Sequence, residues 1–200
     1  VLRSVSASLD RLGVPCVDAV FLNNIGLYDP DRLFTSKGAL AGLQEVRRRG
    51  QARFLGLSGH MGSSRFVPAL DSGAFDIVMA PFNFVDRHSY SFEQDTLPVA
   101  GKHGVAVVAM KVLGGAAGLN YNSHAQKAML CGDDYDLALR YVLGVPGMCS
   151  AVIGMKNPDE VRLAARAARA YRPLTEAESA ALDKRGGQLA AQWGAHYSED

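Results

Sequence analysis

Short apolar runs alternate with amphipathic helical segments along this chain, and this alternation limits its fold more than any other sequence feature. Five runs have strand character, and they cover residues 17–22, 54–57, 75–82, 105–110 and 150–154. Nearly continuous apolar residues are typical of strands that are covered on both faces of a parallel sheet. Strands that alternate with helices indicate parallel βαβ units. An open doubly wound sheet and a closed (β/α)8 barrel both agree with this pattern.

The segments between these runs carry apolar residues at helical spacing. The predicted helices bury the following sets: Val5, Leu9 and Leu12; Leu40, Leu43 and Val46; Phe66, Val67 and Leu70; Leu97, Val99 and Ala100; and Leu137, Leu139 and residues 141–143. Asp134 is the expected N-cap of the helix that contains Leu137. Thr175 and Glu178 have the spacing of a capping box, which predicts the start of a last helix that extends to about Trp193.

The last predicted strand turns directly into a helix. Residues 151–153 are expected to form a buried strand that ends at Gly154. Asn157 is a favourable N-cap, and Pro158 fits the first helical position. The free backbone N–H groups of this helix would face an anion beside Lys156. An ordinary capped βα loop explains the same residues and is the preferred interpretation of this stretch taken alone.

Composition excludes several kinds of partner. The 200 residues include 21 Lys and Arg against 20 Asp and Glu, so no basic field is available for nucleic acid or a membrane surface. No apolar run approaches the length of about 20 residues that spans a bilayer. Cys16, Cys131 and Cys149 fit neither a disulfide framework nor a zinc site, and the histidines lack ligand spacing. We therefore expect a cytoplasmic protein without a metal site.

The predicted topology indicates where a ligand would bind. In both architectures, ligands bind at the carboxyl ends of the parallel strands. The residues at these ends are Asn23 and Asn24; Ser58, Gly59 and His60; Phe82 and Asn83; residues 111–115; and residues 154–157.

Several sequence segments, taken in order, resemble the aldo-keto reductase family. They are SLDRLG (8–13), VDAVFL (17–22), ALAGLQEV (39–46), FLGLSGH (54–60), FDIVMAPFNFVDR (75–87), AMKVLGG (109–115), LRYVLGVPG (139–147) and AVIGMKNP (151–158). The resemblance implies a (β/α)8 barrel of the TIM type, in which residues 1–200 form a single domain with helix 3 and strands 4 to 8. The first three strands would be absent, and the chain, which begins with Val1, would be incomplete at its N-terminus.

The resemblance also assigns catalytic positions. Family members carry a catalytic Tyr, Asp and Lys on the first three strands or the following loops, and a His at the end of strand 4. Asn23 occupies the position of that His. An asparagine amide can donate a hydrogen bond to a carbonyl oxygen, but it cannot transfer a proton as an imidazole does. His60 is a candidate substitute acid, although a surface or capping role is more common for such a histidine.

Cofactor-binding positions follow from the same resemblance. Ser58 matches a serine that binds the nicotinamide carboxamide, whereas Gly59 and Met79 replace an Asn and a Gln. The loop over the cofactor pyrophosphate is matched by Lys111, Val112, Leu113, Gly114 and Gly115. The loop at the adenosine phosphates is matched by Gly154, Met155, Lys156 and Asn157. Glu160 stands where many members carry an Arg for the 2′-phosphate of NADP(H). Because a carboxylate repels that phosphate, either Lys156 compensates or NADH is preferred.

The resemblance implies an oxidoreductase that transfers hydride between NAD(P)H and an aldehyde or ketone, with NADP as the expected cofactor and NAD as the alternative. The competing interpretation is a catalytically inactive barrel that senses a ligand or binds another protein, because Asn23, Gly59 and Met79 depart from the family together. Five strands without closure would expose two sheet edges and the apolar barrel interior. A second copy of the chain or an N-terminal segment is expected to cover them.

Overall fold

The computed structural model describes residues 1–115 and 128–197. Within these residues lie five strands: β1 (Val17–Asn23), β2 (Ala52–Ser58), β3 (Ile77–Pro81), β4 (Ala106–Met110) and β5 (Met148–Ala151). They form one parallel sheet in the order β1-β2-β3-β4-β5. The predicted parallel α/β fold is confirmed. Because neighbouring strands follow chain order throughout the described residues, the sheet has the strand order of a barrel and not the reversal that defines a doubly wound sheet.

Seven α-helices lie in the described ranges: α1 (Leu2–Leu12), α2 (Ala39–Arg48), α3 (Ser63–Asp71), α4 (Leu97–His103), α5 (Asp134–Gly144), α6 (Pro158–Arg169) and α7 (Glu176–Trp193). The helices predicted from apolar spacing and capping residues are all present. Short 3-10 helices at Ile25–Leu27, Pro30–Leu33 and Asp86–His88 and a π-helix at Phe92–Thr96 were not predicted. Each described helix is too short or too polar to span a lipid bilayer.

The first compact unit comprises residues 1–79 and 92–107. Val5 and Leu9 of α1 pack with Val46 of α2, so the two helices bury the faces that their apolar spacing predicts. β1 and β2 pair in parallel, and the paired positions end with Asn23 beside Ser58. This register brings two polar residues together at the carboxyl ends of the two strands.

The second compact unit comprises residues 80–91, 108–115 and 128–197 within the described ranges. Leu182 and Ala190 of α7 belong to an apolar cluster that also contains Phe84. Arg140 of α5 is 2% exposed and donates hydrogen bonds to both carboxylate oxygens of Glu178 at 2.9 and 2.7 Å. Apolar packing and a bidentate ion pair therefore join α5 to α7.

The prediction of a buried last strand is wrong. β5 ends at Ala151, and the following Val152 is 49% exposed. β5 is last in the sheet order, so one of its edges has no neighbouring strand among the described residues. The helix that follows it, α6, has no buried residue.

Two finer predictions are also wrong. Asp134 is the first residue of α5 and not its N-cap, because its carboxylate accepts a hydrogen bond from Arg185 Nη2 at 2.7 Å. The N-cap position belongs to Asp133, whose side chain makes no capping hydrogen bond. Leu12, at the end of α1, is 63% exposed and does not join the apolar face of that helix.

Candidate functional site

The carboxyl ends of β1 and β2 present two polar side chains next to each other. The Ser58 hydroxyl donates a hydrogen bond to Asn23 Oδ1 at 3.1 Å. Ser58 is buried, whereas Asn23 is exposed. The bond engages the amide oxygen of Asn23, whose Nδ2 is a hydrogen-bond donor.

Gly59 lies in a tightly packed part of the same unit. Its N–H donates to the carbonyl oxygen of Met79 at 3.4 Å, which links the end of β2 to β3. A Cβ atom at position 59 would collide with Asn24 Oδ1 and would lie 3.0 Å from the Phe66 ring. No larger side chain therefore fits at position 59 without movement of its neighbours. His60 follows directly and is half-buried.

The loop after β4, residues 111–115, has an unusual backbone conformation. Lys111 has a φ of 55°, and within the described part of the chain it is the only non-glycine residue with a positive φ. Gly114 and Gly115 have φ values of 73° and 81°. The Gly114 N–H donates to the Lys111 carbonyl oxygen at 2.8 Å. The loop therefore turns sharply and carries a cationic side chain at the carboxyl end of β4.

Two residues of this loop serve packing. Val112 is 1% exposed, and Leu113 packs against the apolar cluster of the second unit. The Leu113 carbonyl oxygen also accepts a hydrogen bond from the Leu130 N–H at 3.0 Å. These side chains anchor the loop to the interior, whereas Lys111 and Gly115 are half-buried.

A buried polar cluster supports the same loop. Asn83 Nδ2 donates to the Lys111 carbonyl oxygen at 3.0 Å and also to Asp86 Oδ2. The Tyr197 hydroxyl donates to the same Asp86 oxygen, and His196 Nε2 lies 3.6 Å from Asp86 Oδ1. Asn83, Asp86 and Tyr197 are 0%, 2% and 6% exposed. The cluster is therefore a closed network that no solvent-exposed ligand contacts directly.

Burial dominates the electrostatics of this cluster. It raises the pKa of Asp86, although the hydrogen bonds from Tyr197 and Asn83 and the proximity of His196 act in the opposite direction. Burial, with the neighbouring Asp86 carboxylate, also raises the pKa of Tyr197. Tyr197 therefore stays protonated and acts as a hydrogen-bond donor at neutral pH.

Sequence reasoning placed Asn83 at a strand end but missed Asp86, His196 and Tyr197. One local signal was present, because Asn83 and Asp86 are three residues apart. Asn83 Oδ1 accepts from the N–H groups of Val85 and Asp86 at 3.0 and 2.8 Å, and this turn brings the two side chains together.

The start of α6 is closed by its own side chains. Asn157 Oδ1 accepts hydrogen bonds from two backbone N–H groups of the first turn, both at 3.0 Å, so the predicted N-cap is confirmed. Glu160 Oε2 accepts from the Lys156 N–H at 2.7 Å. The preceding residues, Gly154 and Met155, are exposed. The N–H groups expected to face an anion are thus bonded to a protein amide and a protein carboxylate.

The predicted site residues form local sets. These sets are Asn23 with Ser58; Gly59 with Met79, followed by His60; residues 111–115; and Lys156 with Asn157 and Glu160. In residues 1–115 and 128–197, no group of three His, Cys, Asp or Glu side chains is arranged to hold a metal ion.

Residues 1–133 match the sequence model of the aldo/keto reductase family, and the chain belongs to this family. The resemblance inferred from the sequence segments is therefore confirmed. No curated protein matches the chain.

Solved structures with the same fold include two aldo-keto reductases. One is aldo-keto reductase AKR11C1 from Bacillus halodurans in its holo form, with a TM-score of 0.68 and 22% identity over 91% of this chain. The other is the thermostable aldo-keto reductase Tm1743 in complex with the inhibitor epalrestat, with a TM-score of 0.65 and 21% identity over 92% of this chain. The chain spans 65% of the length of each of these solved chains.

Proposed function

We propose that the complete protein is an oxidoreductase that transfers hydride between NAD(P)H and an aldehyde or ketone. The observation that carries this proposal is the Ser58–Asn23 hydrogen bond, which presents an oriented amide donor at the carboxyl ends of β1 and β2. Family membership supports the class of reaction. We also infer that β1 to β5 correspond to strands 4 to 8 of a barrel. The partial coverage of the two solved chains supports this correspondence.

Asn23 would bind the carbonyl oxygen of the substrate. Its Nδ2 would donate a hydrogen bond to that oxygen and stabilise the negative charge that develops there during hydride transfer. Since a carboxamide is not an acid at neutral pH, the proton must come from another group. His60 is the candidate acid of the first unit, because it follows Ser58 and Gly59 after β2 and is half-buried.

The residues of the β4 loop fit a dinucleotide diphosphate. Lys111 supplies a cation, and Gly115, whose φ is 81°, lacks a side chain that would cover the backbone N–H groups of the loop. The Ser58 oxygen can accept a hydrogen bond from a carboxamide while its proton is donated to Asn23. When bound, the reduced nicotinamide supplies the hydride.

The start of α6 fits NADH better than NADPH. By the family resemblance, Glu160 stands where many members carry an Arg for the 2′-phosphate, and its carboxylate, which bonds to the Lys156 N–H, would repel that phosphate. We therefore expect dissociation constants measured by fluorescence titration to favour NADH, and Glu160→Gln to tighten NADPH binding. Asp159→Asn is the matched control, because this neighbouring carboxylate is 91% exposed and pairs with Arg162. NADPH binding that is about tenfold tighter than NADH binding would contradict this preference.

Carbonyl-dependent oxidation of NADH and NADPH by the full-length protein tests the proposed reaction. A panel of aldehydes and ketones would be compared for the parent protein, Asn23→Ala and Gln188→Ala. The control removes an exposed amide from α7. We expect turnover in the parent and the control, and loss of turnover in Asn23→Ala. Full activity of Asn23→Ala would remove this residue from the mechanism.

A catalytically inactive barrel that senses a ligand is the second candidate. Gly59 favours it, because this position lacks the amide side chain that family members use to bind the nicotinamide, and a larger residue there would require Asn24 to move. A thermal transition that rises with NADH, combined with no turnover on the whole panel, would support this alternative.

A further inference from the structure

The end of α7 and the residues after it lie on the β4 loop. We name residues 193–197 the C-terminal strap. The Trp193 ring packs on Gly114, where a Cβ atom would lie 2.8 Å from two ring carbons. The Tyr197 ring approaches Gly115, and Lys111 Nζ lies 6.0 Å from the centroid of that ring. The first and last residues of the strap, Trp193 and Tyr197, therefore both contact the β4 loop.

A continuous chain of hydrogen bonds runs from the strap to the loop backbone. The Tyr197 hydroxyl donates to Asp86 Oδ2, which also accepts from Asn83 Nδ2. The same Nδ2 donates to the Lys111 carbonyl oxygen at 3.0 Å. Because Asn83 and Asp86 are buried, water does not compete for these bonds. A change at Tyr197 is therefore transmitted to the Lys111 peptide.

Lys111 needs such support. A non-glycine residue with positive φ is unfavourable unless its surroundings hold it in that conformation. The Lys111 carbonyl oxygen is held by two donors, the Asn83 side chain and the Gly114 N–H. These bonds fix the peptide after Lys111 and thereby the direction in which its side chain leaves the loop.

We propose that Tyr197 is a positioning residue for cofactor binding. Through Asp86 and Asn83, it holds the backbone at Lys111 in its left-handed conformation. The Lys111 ammonium group is thereby directed at the cofactor diphosphate. This inference rests on the proposed nicotinamide cofactor, and it makes the C-terminal strap part of the binding site even where no strap atom contacts the ligand.

The strap has other attachments, so the hydroxyl can be removed by itself. The Tyr197 N–H donates to the Tyr90 hydroxyl at 3.0 Å. The His196 ring lies 4.3 Å from the Tyr197 ring and 5.4 Å from the Trp193 ring. These contacts keep the strap in place in Tyr197→Phe, which loses the hydroxyl and its hydrogen bond to Asp86.

Fluorescence titration with NADH tests the proposal. We expect Tyr197→Phe to weaken binding by about tenfold, the effect of one hydrogen bond to a charged group. Tyr171→Phe is the matched control, because Tyr171 is 37% exposed and lies outside the strap, and its affinity should equal that of the parent. Unchanged affinity in Tyr197→Phe would overturn the proposal.

A double-mutant cycle separates positioning from general support of the fold. In a Lys111→Met background, Tyr197→Phe should have no further effect on the dissociation constant, because Tyr197 acts through Lys111. An equal loss of affinity in both backgrounds would mean that Tyr197 acts by another route and would overturn the proposal.

Hydrogen exchange without cofactor gives an independent measurement. We expect Tyr197→Phe to accelerate exchange of the Gly114 amide, which bonds to the Lys111 carbonyl oxygen, and to leave the amides of α2 unchanged. Unchanged exchange at Gly114 would overturn the inference. If the parent protein binds neither NADH nor NADPH, the proposed function fails, whereas this exchange experiment still decides whether Tyr197 holds the loop.

Discussion

Replacing Asp86 by asparagine exchanges a buried charge for a neutral group of the same shape. Asp86 Oδ2 accepts hydrogen bonds from Tyr197 and Asn83, and an amide oxygen can accept both. Asp86 Oδ1 and His196 Nε2 are buried, and neither has a hydrogen-bond partner among the described residues. They lie 3.6 Å apart. An amide NH2 in place of Oδ1 can donate to a neutral imidazole, so the substitution satisfies two polar atoms.

The magnitude follows from these contacts. A buried polar group without a partner costs about 1–3 kcal/mol, and Asp86→Asn removes this cost at Oδ1 and at His196. The two retained hydrogen bonds become neutral and weaken by about 1 kcal/mol each. We therefore expect Asp86→Asn to raise the free energy of unfolding by about 0–4 kcal/mol, and each 1 kcal/mol raises the melting temperature by about 2–4 °C for a chain of this size. Asp86→Ala leaves Tyr197 and Asn83 without their acceptor and should lower the free energy by about 2–5 kcal/mol.

The pH dependence has a defined sign. Burial raises the pKa of Asp86, so the folded protein holds the carboxyl proton more tightly than the unfolded chain does. The stabilisation from Asp86 is therefore complete below the ordinary aspartate pKa of about 4 and is lost as the pH rises through the raised value. Asp86→Asn lacks this loss, and its advantage over the parent should grow as the pH rises above about 4.

Urea denaturation of the parent and of Asp86→Asn at a series of pH values measures this difference. Asp10→Asn is the control, since Asp10 is exposed on α1, and it should change the free energy by less than about 0.5 kcal/mol. If Asp86→Asn were less stable than the parent at every pH, with a constant difference, the argument from burial would be refuted.

Three further substitutions test the packing, the capping and the ion pair. Phe66 is fully buried and meets the Phe92 ring edge-on at a centroid distance of 5.5 Å, so Phe66→Ala should lower the urea-derived free energy of unfolding by about 3–5 kcal/mol. A loss below about 1 kcal/mol would contradict this packing. Thr175→Ala removes the hydroxyl that accepts the Glu178 N–H and should cost about 1 kcal/mol in the same assay, whereas Thr175→Ser should restore it. The hydrogen bonds from Arg140 hold the pKa of Glu178 well below its usual range, so their stabilisation is present above about pH 4 and is lost as the pH falls further. In acid denaturation followed by circular dichroism, we expect the parent to lose stability more steeply with falling pH than Glu178→Gln does. If both proteins begin to unfold at the same pH, the coupling between Arg140 and Glu178 is absent.

Local chemistry explains which elements could be predicted from the sequence. Asn157 caps α6, and Thr175 and Glu178 form a reciprocal capping box, because these hydrogen bonds join residues at most three positions apart. The role of Asp134 at the start of α5 could not be predicted in the same way. Its partner, Arg185, is 51 positions away, and that ion pair competes with capping.

Burial and the candidate site depend on more distant contacts. Residues 151–153 have the apolar pattern of a buried strand, yet β5 is Met148–Ala151 and Val152 is exposed, so apolar sequence alone does not determine burial here. Parallel topology predicts that strand ends such as Asn23 and Ser58 share one edge, and their hydrogen bond agrees with it. The bond from Tyr197 to Asp86 joins residues 111 positions apart, and neither periodicity nor a local motif carries that information.

The carboxylate at the start of α6 has a consequence for selectivity. Glu160 is covalently attached beside the Lys156 N–H that it occupies, so it acts as a tethered competitor whose effective concentration does not fall on dilution. The apparent affinity of any incoming anion is its intrinsic affinity multiplied by the fraction of time that Glu160 leaves the N–H open, so it is lower than the intrinsic affinity. Inorganic phosphate or sulfate, which can gain nothing elsewhere on the protein, would be kept out. The 2′-phosphate of NADPH would meet the same competitor, so the start of α6 discriminates against anions whether they are free or part of the proposed cofactor.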